Sequence, residues 1–166
     1  MSESTSTETV ADFIAISKQF QQAMLVTRSA DTKLSARPMF IAQLEDDGDL
    51  WFATDVDSGK VDDLTANPQV AVTMSGGGSY VSISGQARVV RDRSKIDELW
   101  NESWKVWFPE GKSDPRLALI NVTASQGEYW SNSGIDRFQF LFDAAKAYAT
   151  GQRPKTDDSR HAKVKL

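Results

Sequence analysis

The sequence places three residues of anion-binding types within reach of one loop. Ser58 and Lys60 follow the predicted strand Leu50–Thr54, in the loop and the first turn of a short helix. Because a helix N-terminus exposes backbone N–H groups and a partial positive charge, a hydroxyl and a lysine there favour a phosphate group. Arg37 lies in the preceding predicted strand, Leu34–Leu44. A hairpin of these two strands would bring its guanidinium, which matches phosphate oxygens, near the same loop.

Each of these residues also has a purely structural interpretation. Ser58 could be an ordinary N-cap beside a solvated Lys60, since serine is a preferred capping residue. Arg37 could face an edge and pair with an acidic residue of the turn after its strand, which contains Asp46, Asp47 and Asp49. That turn is too short for an EF-hand calcium loop, so a charged turn is favoured and no metal site is predicted. The spacing alone leaves the phosphate site and the structural roles open.

The elements that must position these residues are mainly strands. Short apolar or alternating runs, separated by polar turns, predict six strands: Ala23–Thr27, Leu34–Leu44, Leu50–Thr54, Gln69–Met74, Tyr80–Val90 and Leu117–Trp130. Most connections are too short for crossovers, so the strands are expected to be antiparallel. Pro38 confines its strand to an edge or a bulge. The simplest architecture is a six-stranded antiparallel β-barrel with flanking helices, an α+β fold that is mainly β.

Helices are expected at the start, in the middle and at the end of this barrel. Helical periodicity begins at Thr9, returns after Ser58, runs over about 92–106 and ends with Ile135–Thr150. The helix over 92–106 carries three tryptophans at helical spacing, Trp100, Trp104 and Trp107. That spacing favours core positions for all three over a stacking platform. Trp51 is expected in the barrel core.

Both ends of the chain differ in composition from its body. Residues 1–8 consist of Ser, Thr and Glu after the first Met and are expected to be disordered. Residues 152–166 are rich in Lys and Arg and are expected to form a flexible basic tail. A docking arm for acidic partners is the alternative for this tail. Residues 9–151 are therefore predicted to form a single domain.

The composition restricts the chemistry that is available. The 166 residues include no Cys and one His, His161. Thiolate nucleophiles, cysteine-ligated metals and multi-histidine metal sites are therefore excluded, and catalysis would need carboxylates, Lys, Tyr or a bound cofactor. The net charge of −4 argues against nucleic acid as a partner. No apolar run is long enough to span a membrane and no targeting signal is visible, so a cytoplasmic protein is expected.

The order of several short motifs resembles the FMN-binding split-barrel superfamily of pyridoxamine 5′-phosphate oxidase. Arg37-Pro-Met is followed by Trp51-Phe-Ala-Thr-Asp, and then by Ser58-Gly-Lys with Asn67-Pro after the short helix. The bacterial general stress protein branch is the closer match. Its later motifs are matched by Trp104–Gly111, Asp114-Pro115, Glu128-Tyr129-Trp130 and Ala144–Ala147. The resemblance extends over about residues 9–151.

This resemblance implies a split barrel that binds FMN, with FAD as an alternative. Residues matching Arg37, Ser58 and Lys60 are implied to hold the FMN phosphate. The implied contacts to the isoalloxazine ring are Pro38, Met39, Thr54, Asp55 and, from the partner subunit, Trp130. Members of the superfamily are typically homodimers with FMN at the interface, so a homodimer is expected.

The resemblance also implies a flavin-dependent oxidoreductase linked to the stress response. In the true oxidases, an Arg-Leu-His segment that grips the pyridoxal substrate follows the tryptophan. Trp130 is followed instead by Ser-Asn-Ser-Gly, so pyridoxamine phosphate oxidation is not expected. Since no substrate-gripping motif is recognised, a non-catalytic flavin-binding sensor or stress-response module is the alternative. No residue is singled out as catalytic.

Overall fold

Alternating apolar residues along the strands build one antiparallel sheet. The computed structural model describes residues 2–131 and 161–166. Its strands are β1 (Gln22–Arg28), β2 (Leu34–Leu44), β3 (Leu50–Asp55), β4 (Gln69–Gly76), β5 (Ser79–Val90), β6 (Leu117–Ser131) and β7 (His161–Lys165). Its helices are α1 (Ser2–Ser17), α2 (Gly59–Ala66) and α3 (Arg93–Leu99), with 3₁₀ turns at Glu102–Val106 and Gly111–Ser113. The predicted helix Ile135–Thr150, which contains the motif Ala144–Ala147, lies outside the described residues.

The sheet closes on itself as a barrel. Its strands are ordered β3-β2-β1-β4-β5-β6-β7, and an additional pairing of β3 with β6 joins the first strand to the sixth. The barrel interior is filled by fully buried apolar side chains, among them Leu25, Phe52, Val72, Ile83, Ile120 and Val122. The predicted six-stranded antiparallel barrel is therefore confirmed, with β7 as a seventh strand outside the ring.

Strand β2 changes partner halfway along its length. Residues 34–40 pair with β1, whereas residues 41–44 pair with β3. Pro38 lies in the half whose neighbour is β1, a position that tolerates its missing N–H. Beyond the pair Ile41–Phe52, β2 and β3 separate, and β3 continues along β6. A gap therefore opens between the first half of β2 and the end of β3.

Helix α1 begins earlier than the sequence predicted. It starts at Ser2 rather than at Thr9, so residues 2–8 are helical where disorder was expected. Phe13, in the second half of the helix, is fully buried in the barrel core. A helix anchored in this way extends by further turns at low cost, since nucleation is its unfavourable step.

The basic tail contains the last strand rather than a flexible segment alone. Residues 161–165 form β7 and pair with the second half of β6, which β3 does not cover. Val164 is 5% exposed within the barrel core, and Lys163 lies 2.6 Å from Glu128. The expectation of flexibility is wrong for these residues because an open strand edge and an apolar contact hold them. Residues 152–160 lie outside the described residues.

The helix predicted over 92–106 is interrupted. Its first part is α3, and its second part is a 3₁₀ turn. Together with the start of β6 they form a second apolar cluster, whose buried members are Ile96, Trp104, Phe108, Leu117 and Leu119. Trp51 packs against this cluster, outside the barrel, rather than in the barrel core. Within the described part of the chain, none of the helices has the length and apolar character to cross a bilayer.

Candidate functional site

The two sides of the gap between β2 and β3 carry four of the residues that the sequence singled out. Pro38 and Met39 belong to the first half of β2, and Thr54 and Asp55 end β3. Pro38 is exposed, whereas Met39 and Thr54 are 9% and 2% exposed. The Met39 side chain packs in the barrel core, and Met39 pairs with Ala23 of β1, so it does not face the gap as an exposed residue. A flat group in the gap would meet a strand on each side.

The loop after β3 joins the serine and the lysine in one hydrogen-bonded path. The Ser58 hydroxyl donates to the main-chain oxygen of Asp55 at 2.7 Å and accepts from Lys60 Nζ at 3.0 Å. Thr54 Oγ1 lies 3.4 Å from the same hydroxyl. Although Ser58 is the N-cap of α2 by position, its side chain makes no capping hydrogen bond. The interpretation as an ordinary N-cap is therefore not supported, and this hydroxyl does not satisfy the first N–H groups of α2.

Arg37 is held by two polar groups at the base of the gap. Its Nη1 donates to Thr27 Oγ1 at 2.8 Å, and its Nη2 lies 3.4 Å from Asp63 Oδ2 in α2. Thr27 Oγ1 donates in turn to the same carboxylate oxygen at 2.6 Å, and Thr27 is 1% exposed. The partner of Arg37 is thus an aspartate of α2, not one of the acidic residues of the turn after β2.

The positive charge of Arg37 acts on Lys60, which lies in the first turn of α2. Partial burial lowers the pKa of Lys60, the charge of Arg37 lowers it further, and Asp55 acts in the opposite direction. An ammonium group under these conditions is stabilised by any anion placed beside it. Together with the Ser58 hydroxyl and the N-terminal dipole of α2, the two cations are suited to a phosphate group.

Arg116, which no pattern in the sequence indicated, connects this loop to the segment before β6. Its Nη1 lies 3.6 Å from Asp55 Oδ2, and its Nε lies 3.5 Å from Oδ1 of the buried Asp114. Its Nη2 donates to the main-chain oxygen of Trp107 at 3.3 Å. Because Asp55 pairs with Leu117, the residue before β6 must lie beside the loop after β3. Only a knowledge of the β3–β6 pairing would have revealed this neighbour.

An aromatic pair lies beside the gap. The ring centroid of Phe40, the residue after Met39 in β2, is 6.2 Å from that of Trp107. These side chains are 56% and 54% exposed, whereas Trp104 is 7% exposed. The prediction that all three tryptophans of the middle helix lie in the core is therefore wrong for Trp107. The helical spacing behind that prediction does not hold, because α3 ends before Trp104.

Trp130 is remote from the other residues that the sequence grouped with it. Asp55 pairs with Leu117 at the start of β6, whereas Trp130 lies near the other end of that strand, opposite Tyr80 and His161. At about 3.3 Å of rise per residue, roughly 40 Å of strand separates the two positions. Trp130 therefore does not belong to the gap of its own chain.

A concave surface lies on the barrel beside Thr27. It is a groove of about 920 Å³ lined by residues of β1, β2, β4, β5 and β6 and of the turn before β4. Arg37, Ser58 and Lys60 are not among its lining residues. Thr27, which accepts a hydrogen bond from Arg37, does line the groove, so the groove adjoins the cluster of Arg37, Ser58 and Lys60.

The fold defines a class of protein, the split barrel in which two neighbouring strands separate partway along their length. The chain belongs to the pyridoxamine 5′-phosphate oxidase like family, since the model of that family matches residues 8–155. This match confirms the superfamily that the motif order of the sequence resembled.

Solved structures of similar proteins support the general stress protein branch. A Jannaschia chain assigned to general stress protein 26 is 26% identical, with a TM-score of 0.70 over 97% of this chain and 99% of that chain. The general stress FMN/FAD binding protein of Xanthomonas citri is 31% identical, with a TM-score of 0.66 over 77% of this chain and 92% of that chain. The fold and the branch predicted from the motifs are thus both confirmed.

A curated relative is longer than this chain. Protein bli-3 of Neurospora crassa is 34% identical over 119 residues, which are 64% of this chain and 57% of that protein. The aligned part thus spans little more than half the length of that relative.

Proposed function

We propose that this protein binds FMN non-covalently and that Arg37, Ser58 and Lys60 hold its phosphate. The observations that carry the proposal are the hydrogen bond between Ser58 and Lys60 at the start of α2 and the guanidinium of Arg37, which is held against Asp63 of the same helix. A phosphate would stabilise the charged form of the partly buried Lys60, whose pKa is lowered by burial and by Arg37. The similar protein of Xanthomonas citri is described as binding FMN or FAD, so FAD is the alternative ligand.

The gap between β2 and β3 would receive the isoalloxazine ring, with Pro38, Met39, Thr54 and Asp55 along its sides. The backbone N–H and C=O groups of a strand edge suit a ring whose rim carries both donors and acceptors. We further propose a homodimer with FMN at its interface, in which Trp130 of the partner subunit covers the ring. The distance of Trp130 from the gap of its own chain supports this arrangement.

The proposed activity is that of a flavin-dependent oxidoreductase linked to the stress response and placed in the cytoplasm. Bound FMN would supply the hydride or electron transfer. The residues of this chain bind and orient it: the cations fix the phosphate, and the gap fixes the plane of the ring. Family membership and the general stress proteins among its structural relatives support this activity.

A comparison of FMN with riboflavin, which lacks the phosphate, tests the binding proposal. Lys60→Ala and Arg37→Ala should each raise the Kd of FMN by about tenfold or more, since each removes a charged hydrogen-bond donor. The Kd of riboflavin should change little. Lys33→Ala is the matched control, because Lys33 is 81% exposed in the turn between β1 and β2. Equal affinity of the wild type for FMN and riboflavin would contradict the phosphate assignment.

A non-catalytic flavin-binding sensor is the second candidate function. The side chains at the anion site and the gap include cations and hydroxyls suited to holding a ligand, and the one histidine of the chain lies in β7. Anaerobic mixing of the FMN-loaded protein with NADH or NADPH separates the candidates. Rapid loss of the visible flavin absorbance indicates an oxidoreductase, and unchanged absorbance with these donors favours the sensor.

A further inference from the structure

The groove beside Thr27 lies on the outer face of the barrel sheet. Along β5, three of its lining residues, Ser84, Gln86 and Arg88, are exposed and alternate with the buried Gly85 and Ala87. In a strand, this alternation means that the exposed side chains share the face that points away from the core. The groove volume of about 920 Å³ falls in the range of about 300–1,000 Å³ that is typical of small-molecule sites.

Short and long side chains follow each other in successive rows across this face. Ala71 of β4 pairs with Ser84 of β5, and the Ser125 hydroxyl of β6 donates to the main-chain oxygen of Ser84 at 3.0 Å. The next row carries two longer polar side chains, since Gln69 pairs with Gln86. The step from short to long side chains produces a depression whose surface offers amide and hydroxyl groups.

Arg28 and Arg88 are the charged residues among the described residues that line the groove, and no carboxylate lines it. Strand β4 lies between the two strands that carry them, so two strand spacings, or about 10 Å, separate their backbones. Each long guanidinium side chain can therefore reach a ligand that lies between them.

The two guanidinium groups retain donors for such a ligand. Arg88 donates through Nε to Asn121 Oδ1 at 3.2 Å, and Asn121 is 2% exposed. This buried amide holds the guanidinium and leaves its two Nη groups available. Within the described part of the chain, no residue pairs with the side chain of Arg28. Two positive charges without a carboxylate, on a chain with a net charge of −4, favour an anionic ligand.

We propose that this groove binds a non-aromatic organic phosphate with the chemistry of a sugar phosphate. Arg28 and Arg88 bind the phosphate oxygens, and the side-chain amides of Gln69 and Gln86 hydrogen-bond to the hydroxyl groups of the ligand. The described lining residues include no aromatic side chain, so the groove offers no stacking surface to a flavin or a nucleobase. The site is therefore additional to the proposed flavin site and does not depend on it.

Calorimetric titration of the purified protein with glucose 6-phosphate tests the groove. We expect a Kd of about 1 mM or lower, which is the same with and without an excess of FMN. Glucose, which has no charge, should not bind. Gluconate, which carries a carboxylate in place of the phosphate, should bind more weakly than glucose 6-phosphate, and tighter binding of gluconate would contradict the phosphate assignment.

Substitutions of single arginines locate the binding. Arg28→Gln and Arg88→Gln should each raise the Kd of glucose 6-phosphate about tenfold, since each removes a charged hydrogen-bond donor. Arg91→Gln is the matched control, because Arg91 is an exposed arginine that directly follows β5 and is not among the groove residues. This control should leave the Kd unchanged, and so should Lys60→Ala.

Four results would overturn the proposal. The first is a wild type that does not bind glucose 6-phosphate, and the second is an unchanged Kd in both Arg28→Gln and Arg88→Gln. The third is a loss of binding in Lys60→Ala or in excess FMN, which would place the phosphate at the start of α2 and leave the proposed function intact. The fourth is a lower mass of Arg28→Gln or Arg88→Gln in sedimentation of the ligand-free protein, which would make the groove a contact between copies.

Discussion

The guanidinium of Arg37 and the carboxylate of Asp63 are joined by the hydroxyl of Thr27, which donates to Asp63 and accepts from Arg37. The direct ion pair is longer, at 3.4 Å, than either hydrogen bond to the threonine. The buried hydroxyl therefore sets the angle at which Arg37 presents its remaining donors. The three residues come from β2, β1 and α2, so the orientation of the arginine depends on how these elements pack.

Thr27→Val should weaken binding to the phosphate group of FMN without changing the affinity for the flavin ring. Valine keeps the shape of threonine but cannot bridge Arg37 and Asp63, so the Asp63 carboxylate loses a partly buried donor. We expect a loss of about 1–2 kcal/mol in the free energy of unfolding, measured by urea titration. The Kd of FMN should rise while that of riboflavin stays constant. Thr27→Ser, which keeps the hydroxyl, should restore FMN binding, and failure of this rescue would argue against the bridging role.

As the pH rises, the affinity for FMN should begin to fall at a lower pH than it would if Lys60 had the pKa of an ordinary lysine. The pKa of Lys60 is lowered from its usual 10.5, first by burial and then by Arg37. Its positive charge is therefore lost at a lower pH, and the attraction to the phosphate is lost with it. Titrations at increasing pH should show the Kd of FMN rising while that of riboflavin rises less. Lys60→Arg should remove this dependence, because arginine stays protonated throughout the range.

The lowered pKa of Lys60 affects the stability of the flavin-free protein in the opposite direction to its effect on FMN binding. Between the lowered pKa of Lys60 in the folded state and its ordinary value in the unfolded state, the unfolded chain binds more protons. The contribution of Lys60 to stability therefore increases as the pH rises through that window. Binding and stability thus respond to the ionisation of Lys60 in opposite directions.

Gly127→Ala should destabilise the barrel through α1. A Cβ at position 127 would lie 2.4 Å from Cε2 of the buried Phe13 ring, so the helix would have to shift. Overpacking of this kind costs about 1–3 kcal/mol, which urea unfolding can measure. Gly76→Ala is the matched control, because its Cβ would meet Phe20 at an ordinary 3.5 Å. The double variant with Phe13→Leu should recover part of the loss, whereas no recovery would place the strain elsewhere.

Val164→Asp should release β7 from the sheet. The valine is 5% exposed, and an aspartate at its position would be buried without a partner. We expect a loss of about 2–3 kcal/mol in unfolding free energy and faster hydrogen exchange in the second half of β6. Lys165→Asp, one residue further along and exposed, is the control and should have little effect. Equal effects of the two substitutions would show that charge, not burial, is responsible.

The sequence allowed the proximity of Arg37, Ser58 and Lys60 to be predicted, because they lie in adjacent elements whose hairpin is short. That these residues bind an anion stays a prediction. The sequence did not allow Arg116 or Asp63 to be predicted, since each reaches the site through a strand pairing or a helix packing that is distant in sequence. Trp107 was misassigned because a helical period was continued past the end of α3.

Local patterning did not predict the position of the gap either, although the family resemblance implied a split barrel. Pro38 indicated an edge or a bulge in β2, but local patterning cannot state which neighbouring strand departs. The tail was misjudged for a related reason. Val164 is one apolar residue among charged ones, and its burial depends on a strand edge of β6 that only the closed barrel leaves open.

The change of partner within β2 also affects how readily the protein aggregates at high concentration. On the side that β3 leaves, residues 34–40 present a strand edge, and such edges recruit strands from other molecules into aggregates. Pro38 interrupts the row of amide donors at the middle of this edge, which makes it a poor template for an incoming strand. With Pro38 at this position, the edge of β2 can stay unpaired beside the gap where a ligand would bind, and it is less able to template aggregation.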